Sequence, residues 1–352
     1  MERIKKTTAN ICKPDPLITK RAQERLDNLT KPLGSLGRLE ELAKQICGIT
    51  AKDVPVLKNK VIFTLAADHG VTEEGVSAYP KEVTAQMVYN FLSGGAGINV
   101  LANHAGARVV VVDIGVASDL KPDRRLVIRK INYGTKNMAK GAAMTREEAV
   151  KAIETGIDLF NDELKNGIDI IGTGEMGIGN TTSASAITAC FTKKSVEDIT
   201  GRGAGLDDKG LNNKINIIKK SLSVNNPDPA DAIDVLSKVG GFEIGGLAGI
   251  ILAAAANKVP VVIDGFISGA AALIAYQIEP KVKDYMIAAH CSVESGHKYI
   301  LECIGLKPLL DLNLRLGEGT GGALAIGLAD AAVKILTQMA TFKSANVSEK
   351  NK

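Results

Sequence analysis

Two glutamates stand where a carboxylate could do chemistry. Glu318 sits between Gly317 and Gly319 in RLGEGTGGALA (315–325), just ahead of an apolar helical stretch. The flanking glycines leave its carboxylate approachable from both sides. Poor solvation there would raise its pKa toward neutrality, as a general base requires. A helix N-terminus would oppose that rise, and a plain acidic helix start is the competing reading. Glu175 lies in GTGEMGIGNTTSASAI (172–187). That stretch contains G-x-G-x-x-G after an apolar strand and before a helix, which is the dinucleotide fingerprint. Two features weigh against a nicotinamide dehydrogenase. The helix would start after the motif, on a cap at Asn180 or Thr181, whereas dinucleotide sites start it within the motif. Glu175 would also aim a carboxylate into a polyanion pocket. A single phosphate near Gly177, Gly179 and Asn180, with Glu175 beside an uncharged or cationic group, suits these residues better.

Other segments offer anion ligands with weaker signals. GRGAGLDDKGLNNK (201–214) carries Arg202, Gly203 and Lys214, whose cations could neutralise a phosphate. A solvated loop and helix start, capped by Asp207, explains the same segment equally well. HCSVESGH (290–297) could be drawn as a metal site, but it lacks standard ligand spacing and no metal is expected. Ser292 in it is a phosphate ligand candidate. Asp68-His69 could serve chemistry, though a strand-end hydrogen bond is the plainer expectation. Gly245, Gly246 and Gly249 read as close helix packing, with a ligand contact at Gly240-Gly241 as the alternative.

These residues need elements to position them. Apolar runs at 60–68, 107–115, 169–174, 259–265 and 285–290 read as strands. Helical patterns fill 145–165, 181–191, 208–222, 244–257, 268–277 and 321–341, with one helix around 81–104. Strands alternating with helices predict a parallel sheet in an α/β fold. Ligands then bind outside the carboxyl ends of the strands, where Asp68-His69, Asp113, 172–180, Asp264-Gly265 and 290–294 fall. Near the N-terminus two helices are expected, from Asp15 to about Asn28 and from a cap at Ser35, the second with Leu36, Leu39, Ala43 and Ile46 on one face. The tail at 343–352 is polar and expected to fray.

Composition narrows the class. Of the 36 glycines, 20 fall within 172–210, 240–269 and 317–327, which points to a small-molecule site walled by backbone. With seven Phe, six Tyr and no Trp, the core must be aliphatic. A net charge of +4, without a basic face or stacking aromatics, argues against nucleic acid. Five cysteines without a CxxC pair read as reduced thiols of a cytoplasmic protein. The N-terminal MERIKKTTANICKPD has no apolar run of a secretory signal. The longest apolar stretch, 247–256, is half of the roughly 20 residues a membrane span needs, so no membrane is expected.

Eight blocks, in order along nearly the whole chain, carry a resemblance. They are KPLGSLGRLE (31–40), ADHGV…GVSAYPKEVTAQMVYNFL (67–92), GEMGIGNTTSASA (174–186), GRGAGLDD (201–208), GGFEIGGLAG (240–249), PVVIDGFIS (260–268), HCSVESGH (290–297) and LNLRLGEGTGGALA (312–325). Together they closely resemble the nicotinate-nucleotide–dimethylbenzimidazole phosphoribosyltransferase family. The resemblance implies transfer of 5-phosphoribose from nicotinate mononucleotide to a benzimidazole-type base, with no cofactor, for the lower nucleotide loop of a cobamide. It implies a large Rossmann-like α/β domain (59–305) with a parallel sheet and flanking helices, plus a smaller helical domain from the terminal segments (1–58 and 306–352). Family members work as dimers, so a homodimer is expected, with a paralogue partner as the alternative. Glu318 matches the family's catalytic glutamate, and Glu175 a second acidic residue near the ribosyl group. The base pocket would take Ser77, Tyr79, Gln86, Met176 and Leu316. The phosphoribosyl group would take Gly177, Gly179, Asn180, Arg202, Gly203, Lys214, Asp264, Gly265 and Ser292. Phenolic or purine bases remain alternative acceptors, because Tyr79 stands at a position expected to vary.

Overall fold

A computed structural model describes residues 1–348; the last four residues of the polar tail lie outside the described ones. Six strands form one parallel sheet: β1 (Lys60–Ala67), β2 (Ala107–Gly115), β3 (Leu126–Ile128), β4 (Ile170–Met176), β5 (Val261–Ile263) and β6 (Met286–Ala288). Their order across the sheet is β3-β2-β1-β4-β5-β6, the doubly wound arrangement of the Rossmann-like fold that the resemblance implies. The chain reverses its direction of winding between β1 and β4, and the crevice outside their carboxyl ends is where such sheets take ligands.

The sheet is covered on both faces, which is why β1 reads as unbroken apolar sequence. Val61, Phe63 and Leu65 point into one apolar cluster, with the helices Arg146–Leu164, Phe242–Ala256 and Phe266–Ile278. Ile62 and Ala66 point into the other, with Pro16–Asp27, Arg38–Thr50 and Thr320–Gln338. The terminal helices therefore pack on one another and against the sheet. Helix Phe242–Ala256 lies so close to Arg146–Leu164 that a Cβ on Gly249 would stand 1.9 Å from the Ile153 carbonyl oxygen. Packing, the first of the two expectations for these glycines, is their use.

Several local expectations change. The span 81–104 holds two helices, Val83–Ser93 and Gly97–Ala105. Gly94, at φ 80°, ends the first in the left-handed region that glycine adopts without strain. β3 was not expected, and β5 and β6 are three residues each. The helix expected from Ser35 starts at Arg38 with Gly37 before it, and the Leu36 amide is bound by Glu40 instead. Asp207 caps its helix as expected, and Asp15, expected as the first helical residue, is the cap of Pro16–Asp27. The C-terminal helix Thr320–Gln338 has the length and mean hydropathy, 1.3, of a membrane span although no long uninterrupted run announced it. Its Ala325, Ile326, Ala329 and Val333 are buried in the cluster beside the sheet.

Candidate active site

A cavity of about 370 Å³ opens at the carboxyl ends of β4, β5 and β6. Ten of the sequence-nominated residues line it: Glu175, Glu318, Tyr79, Met176, Leu316, Gly177, Asn180, Gly203, Gly265 and Ser292. Tyr79, Val83, Met87, Met176 and Leu316 make an apolar side. The carboxylates and the glycine loops make a polar side.

Glu318 is held in an unusual backbone conformation. Gly317, Glu318 and Gly319 follow one another at φ 82°, 62° and 100°. Two of these positions suit glycine, and the third forces a glutamate into the left-handed region at a cost of about 1 kcal/mol or more. The surroundings fix it there. The Glu318 carbonyl accepts from Thr64 Oγ1 at 3.0 Å. Gly174 in β4 has no Cβ because one would stand 2.2 Å from that same carbonyl oxygen. Glu318 is 5% exposed, and its Oε2 accepts from the Ile98 amide at 3.0 Å. Burial pushes its pKa up, the Ile98 amide pulls it down, and the charge of Asp264 pushes it up again. The opposing helix N-terminus thus belongs to Gly97–Ala105, whereas the sequence suggested the helix that follows Glu318.

Glu175 lies beside this loop, for a Cβ on Gly317 would stand 2.4 Å from its Oε1. Its Oε2 accepts from the Asn180 side-chain amide. Burial, and then the charges of Asp264 and Glu243, push its pKa to about 8. Asn180 is therefore a carboxylate partner; the residue before helix Asn180–Thr192 is Gly179, at φ 92°, so neither Asn180 nor Thr181 serves as the cap.

The remaining nominees lie off the cavity wall. Ser77 accepts from the Tyr79 amide, and Gln86 is exposed on helix Val83–Ser93. Gly179 packs against His69 and Thr72. Arg202 turns to Asp208 and to the Leu206 carbonyl. Lys214 is fully buried behind Gly203, with Nζ donating to Thr181 Oγ1 at 2.8 Å; burial pulls its pKa down to about 8. Asp264 is buried beneath the Glu318 loop, accepting from Gly319 N at 3.2 Å and Gly322 N at 2.9 Å. His69 makes the strand-end hydrogen bonds expected of it, to Ser183 and Glu243.

Four polar wall residues were given no place in the site by the sequence, although His290 and Glu294 fall in its strand-end segment 290–294. Arg315 brings a cation to the cavity, donating to the Gly203 carbonyl at 3.3 Å. Glu294 accepts from the Gly203 amide at 3.0 Å. Thr181 and His290 complete the polar side. All four stand inside the recognised blocks, so proximity to Glu318, Ser292 and Asn180 was the available signal. No group of three His, Cys, Asp or Glu with metal-ligand geometry occurs among the described residues.

Comparison with known proteins covers nearly the full length. A family model described as phosphoribosyltransferase (DBI_PRT) matches residues 11–347. The nicotinate-nucleotide–dimethylbenzimidazole phosphoribosyltransferase of Geobacter sulfurreducens is 59% identical over 341 residues, 97% of each chain. That of Desulforudis audaxviator is 56% identical over 99% of each. The crystal structure of CobT from Thermus thermophilus superposes with a TM-score of 0.92 at 43% identity, over 95% of this chain and 100% of that one.

Proposed function

The chain belongs to the DBI_PRT phosphoribosyltransferase family, and on that premise we propose that it moves the 5-phosphoribosyl group of nicotinate mononucleotide to a ring nitrogen of a benzimidazole-type base. The products are nicotinate and an α-riboside 5′-phosphate for the nucleotide loop of a cobamide. The observation that carries this reading is the pairing of Glu318 and Glu175 on the wall of one cavity whose other side is apolar.

The chemistry asks for one base. When the C1′–N bond breaks, its electrons return to the pyridinium nitrogen, so nicotinate leaves without an acid. The attacking azole must lose its N–H proton, and Glu318 takes it. Its Oε2 is tied to Ile98 N, which leaves Oε1 for the acceptor. Burial raises its basicity in the direction a general base needs. Glu175 faces the ribosyl carbon, where positive charge develops. The neutral form is favoured in the free site, and an arriving pyridinium cation favours ionisation. Gly177, Gly265, Ser292 and Arg315 offer amides, a hydroxyl and a cation to the phosphate, while the Gly203 amide is taken by Glu294. Holding both substrates in line supplies much of the rest of the rate. Tyr79, Met87, Met176 and Leu316 provide a flat apolar seat for the base.

We take the helices of 1–58 and 306–352 as the smaller unit beside the 59–305 body, which the mutual packing of Pro16–Asp27, Arg38–Thr50 and Thr320–Gln338 supports; Glu2–Ala9 packs instead on the body, against Arg146–Leu164 and Phe242–Ala256. A homodimer is the proposed assembly. Tyr79 and Leu316, each more than half exposed on the cavity wall, support it, and light scattering on the eluted protein tests it.

The test of activity incubates the pure protein with nicotinate mononucleotide and dimethylbenzimidazole, with phenol, cresol and adenine in parallel. Mass spectrometry is expected to find free nicotinate and the benzimidazole riboside phosphate. Transfer only to phenols or adenine would overturn the acceptor, and no nicotinate release with any of them would overturn the reaction.

A further inference from the structure

A buried ion pair lies behind the glycine loop of the cavity without touching the cavity itself. His69, at the end of β1, and Glu243, in the first turn of helix Phe242–Ala256, are joined Nε2 to Oε1 at 2.8 Å, both side chains fully buried. His69 Nδ1 lies 3.1 Å from Ser183 Oγ, and that hydroxyl lies 3.3 Å from the Gly240 carbonyl oxygen. When the Ser183 hydroxyl donates to the Gly240 carbonyl, its oxygen is left to accept from Nδ1–H. The Glu243 carboxylate accepts from Nε2–H. With a proton on both nitrogens, His69 is an imidazolium. Desolvation is the largest single influence and pulls the His69 pKa down, but the charge of Glu243, the hydrogen bond to it and the charge of Asp68 together outweigh it, and the pKa stands above its ordinary value.

The loop on the cavity wall is built onto this imidazolium. A Cβ on Gly177 would stand 2.4 Å from the Ala67 carbonyl oxygen and 3.4 Å from the His69 ring. One on Gly179 would stand 3.4 Å from His69 Cβ and 2.8 Å from Thr72 Cγ2. On the other side, Gly241 is so close that a Cβ would meet His69 Cε1 at 2.4 Å. The His69 carbonyl also accepts from the Thr72 hydroxyl at 2.8 Å. Three glycines on two segments thus admit His69, and it backs residues 177–179 from behind. Asn180 follows directly and holds the Glu175 carboxylate.

We propose that the His69–Glu243 pair is a positioning pair for phosphoribosyl transfer, seating residues 177–180 from behind and, through them, the Asn180–Glu175 contact. The inference rests on the proposed reading that these residues face the phosphoribosyl group. It adds a role for two residues that never touch substrate. It also has an electrostatic side. The charged groups facing His69 are Glu243 and Asp68. Those acting on Glu175 are Asp264, Glu243 and Glu318. Glu243 is therefore shared, and loss of its charge eases ionisation of Glu175.

The test uses Glu243→Gln, in which the amide keeps a hydrogen bond to Nε2 and removes the charge, and Ser183→Ala, which removes the acceptor at Nδ1. Both are compared with the wild-type chain in kcat and KM for each substrate, and in equilibrium binding of nicotinate mononucleotide. Both variants are expected to raise KM and Kd for nicotinate mononucleotide by about tenfold or more, with kcat and the KM for the base little changed. Glu243→Gln alone is expected to move the acid limb of the kcat/KM profile to lower pH. An unchanged KM, Kd and pH profile in folded Glu243→Gln overturns the proposal. If that variant fails to fold, an unchanged KM and Kd in Ser183→Ala overturns it instead. Absence of transfer by the wild-type chain would sink the underlying reading separately, and binding of nicotinate mononucleotide would still report on the pair.

Discussion

The backbone amide of Ile98 donates to Glu318 Oε2 at 3.0 Å, so the proposed base is held by the N-terminus of a helix that precedes it by more than 200 residues. The contact does two opposite things. It fixes the carboxylate in one rotamer, which a base needs for aim, and it favours the ionised form, which limits how far burial can raise basicity. The net direction is upward. A carboxylate with one oxygen tethered and the other open can accept a single proton from one side of the cavity.

Glu318→Gln separates aim from basicity. Glutamine can still accept from Ile98 through its carbonyl oxygen, so the loop at 317–319 should keep its shape and nicotinate mononucleotide should bind as before. Turnover is expected to fall by about 10²–10⁴, the range for loss of a positioned base. Steady-state rates and calorimetric binding check this. Near-normal turnover would remove Glu318 from the base role.

Glu175 predicts how stability depends on pH. In the unfolded chain a glutamate ionises near pH 4.3 or so; in the folded chain this one ionises at about 8. Between those values the folded state holds a proton that the unfolded state has released. Stability therefore falls as pH rises through that window, and the deficit is constant above it. Glu175→Gln lacks the titration yet can still accept from Asn180. It should match the wild type near pH 4.5 and exceed it at pH 8.5, by at most a few kcal/mol given about 1.4 kcal/mol per pKa unit. Urea melts at the two pH values measure the difference. A constant offset between the two proteins would contradict the raised pKa.

Much of this architecture was written locally, and that explains what the sequence disclosed. Long buried runs such as 60–67 need only their own composition to read as strands, and Asp15 and Asp207 cap the helices they precede. A parallel sheet followed from that alternation, and its Rossmann-like arrangement from the family resemblance. The three-residue strands β3, β5 and β6 carry too few residues for a period, and two of them were overestimated and one missed. The split of 81–104 turned on the conformation of Gly94, which composition alone did not fix. At the site, Glu318 was visible because glycines flank it and Glu175 because it sits inside a glycine-rich loop. Arg202 and Lys214 were chosen for charge near glycines, but Asp208 takes the first and burial hides the second. Arg315 stood within the same motif as Glu318 and was passed over, because which way a loop cation turns is decided by tertiary contacts. Glu243 stands just ahead of the helix expected at 244–257 and has no local signal, because its partner His69 lies 174 residues away.

Two glycine-to-alanine changes should have opposite signs. Gly327 is exposed in the middle of helix Thr320–Gln338, and a Cβ there meets nothing within 4 Å. Alanine at that point lowers the entropy of the unfolded chain and leaves the folded one undisturbed, so Gly327→Ala should stabilise by about 0.5–1 kcal/mol. Gly249 also sits within a helix, and helix propensity alone would predict the same gain. Its added Cβ would stand 1.9 Å from the Ile153 carbonyl oxygen, 2.8 Å from the carbon of that carbonyl and 3.1 Å from Gly156 Cα. All three are backbone atoms of the neighbouring helix and cannot rotate aside. The two helices must part, opening the apolar layer that covers one face of the sheet, so Gly249→Ala should cost about 3 kcal/mol or more. Denaturant midpoints for the two variants decide it. A stabilised Gly249→Ala would mean that the helices do not approach as closely as the structure has them.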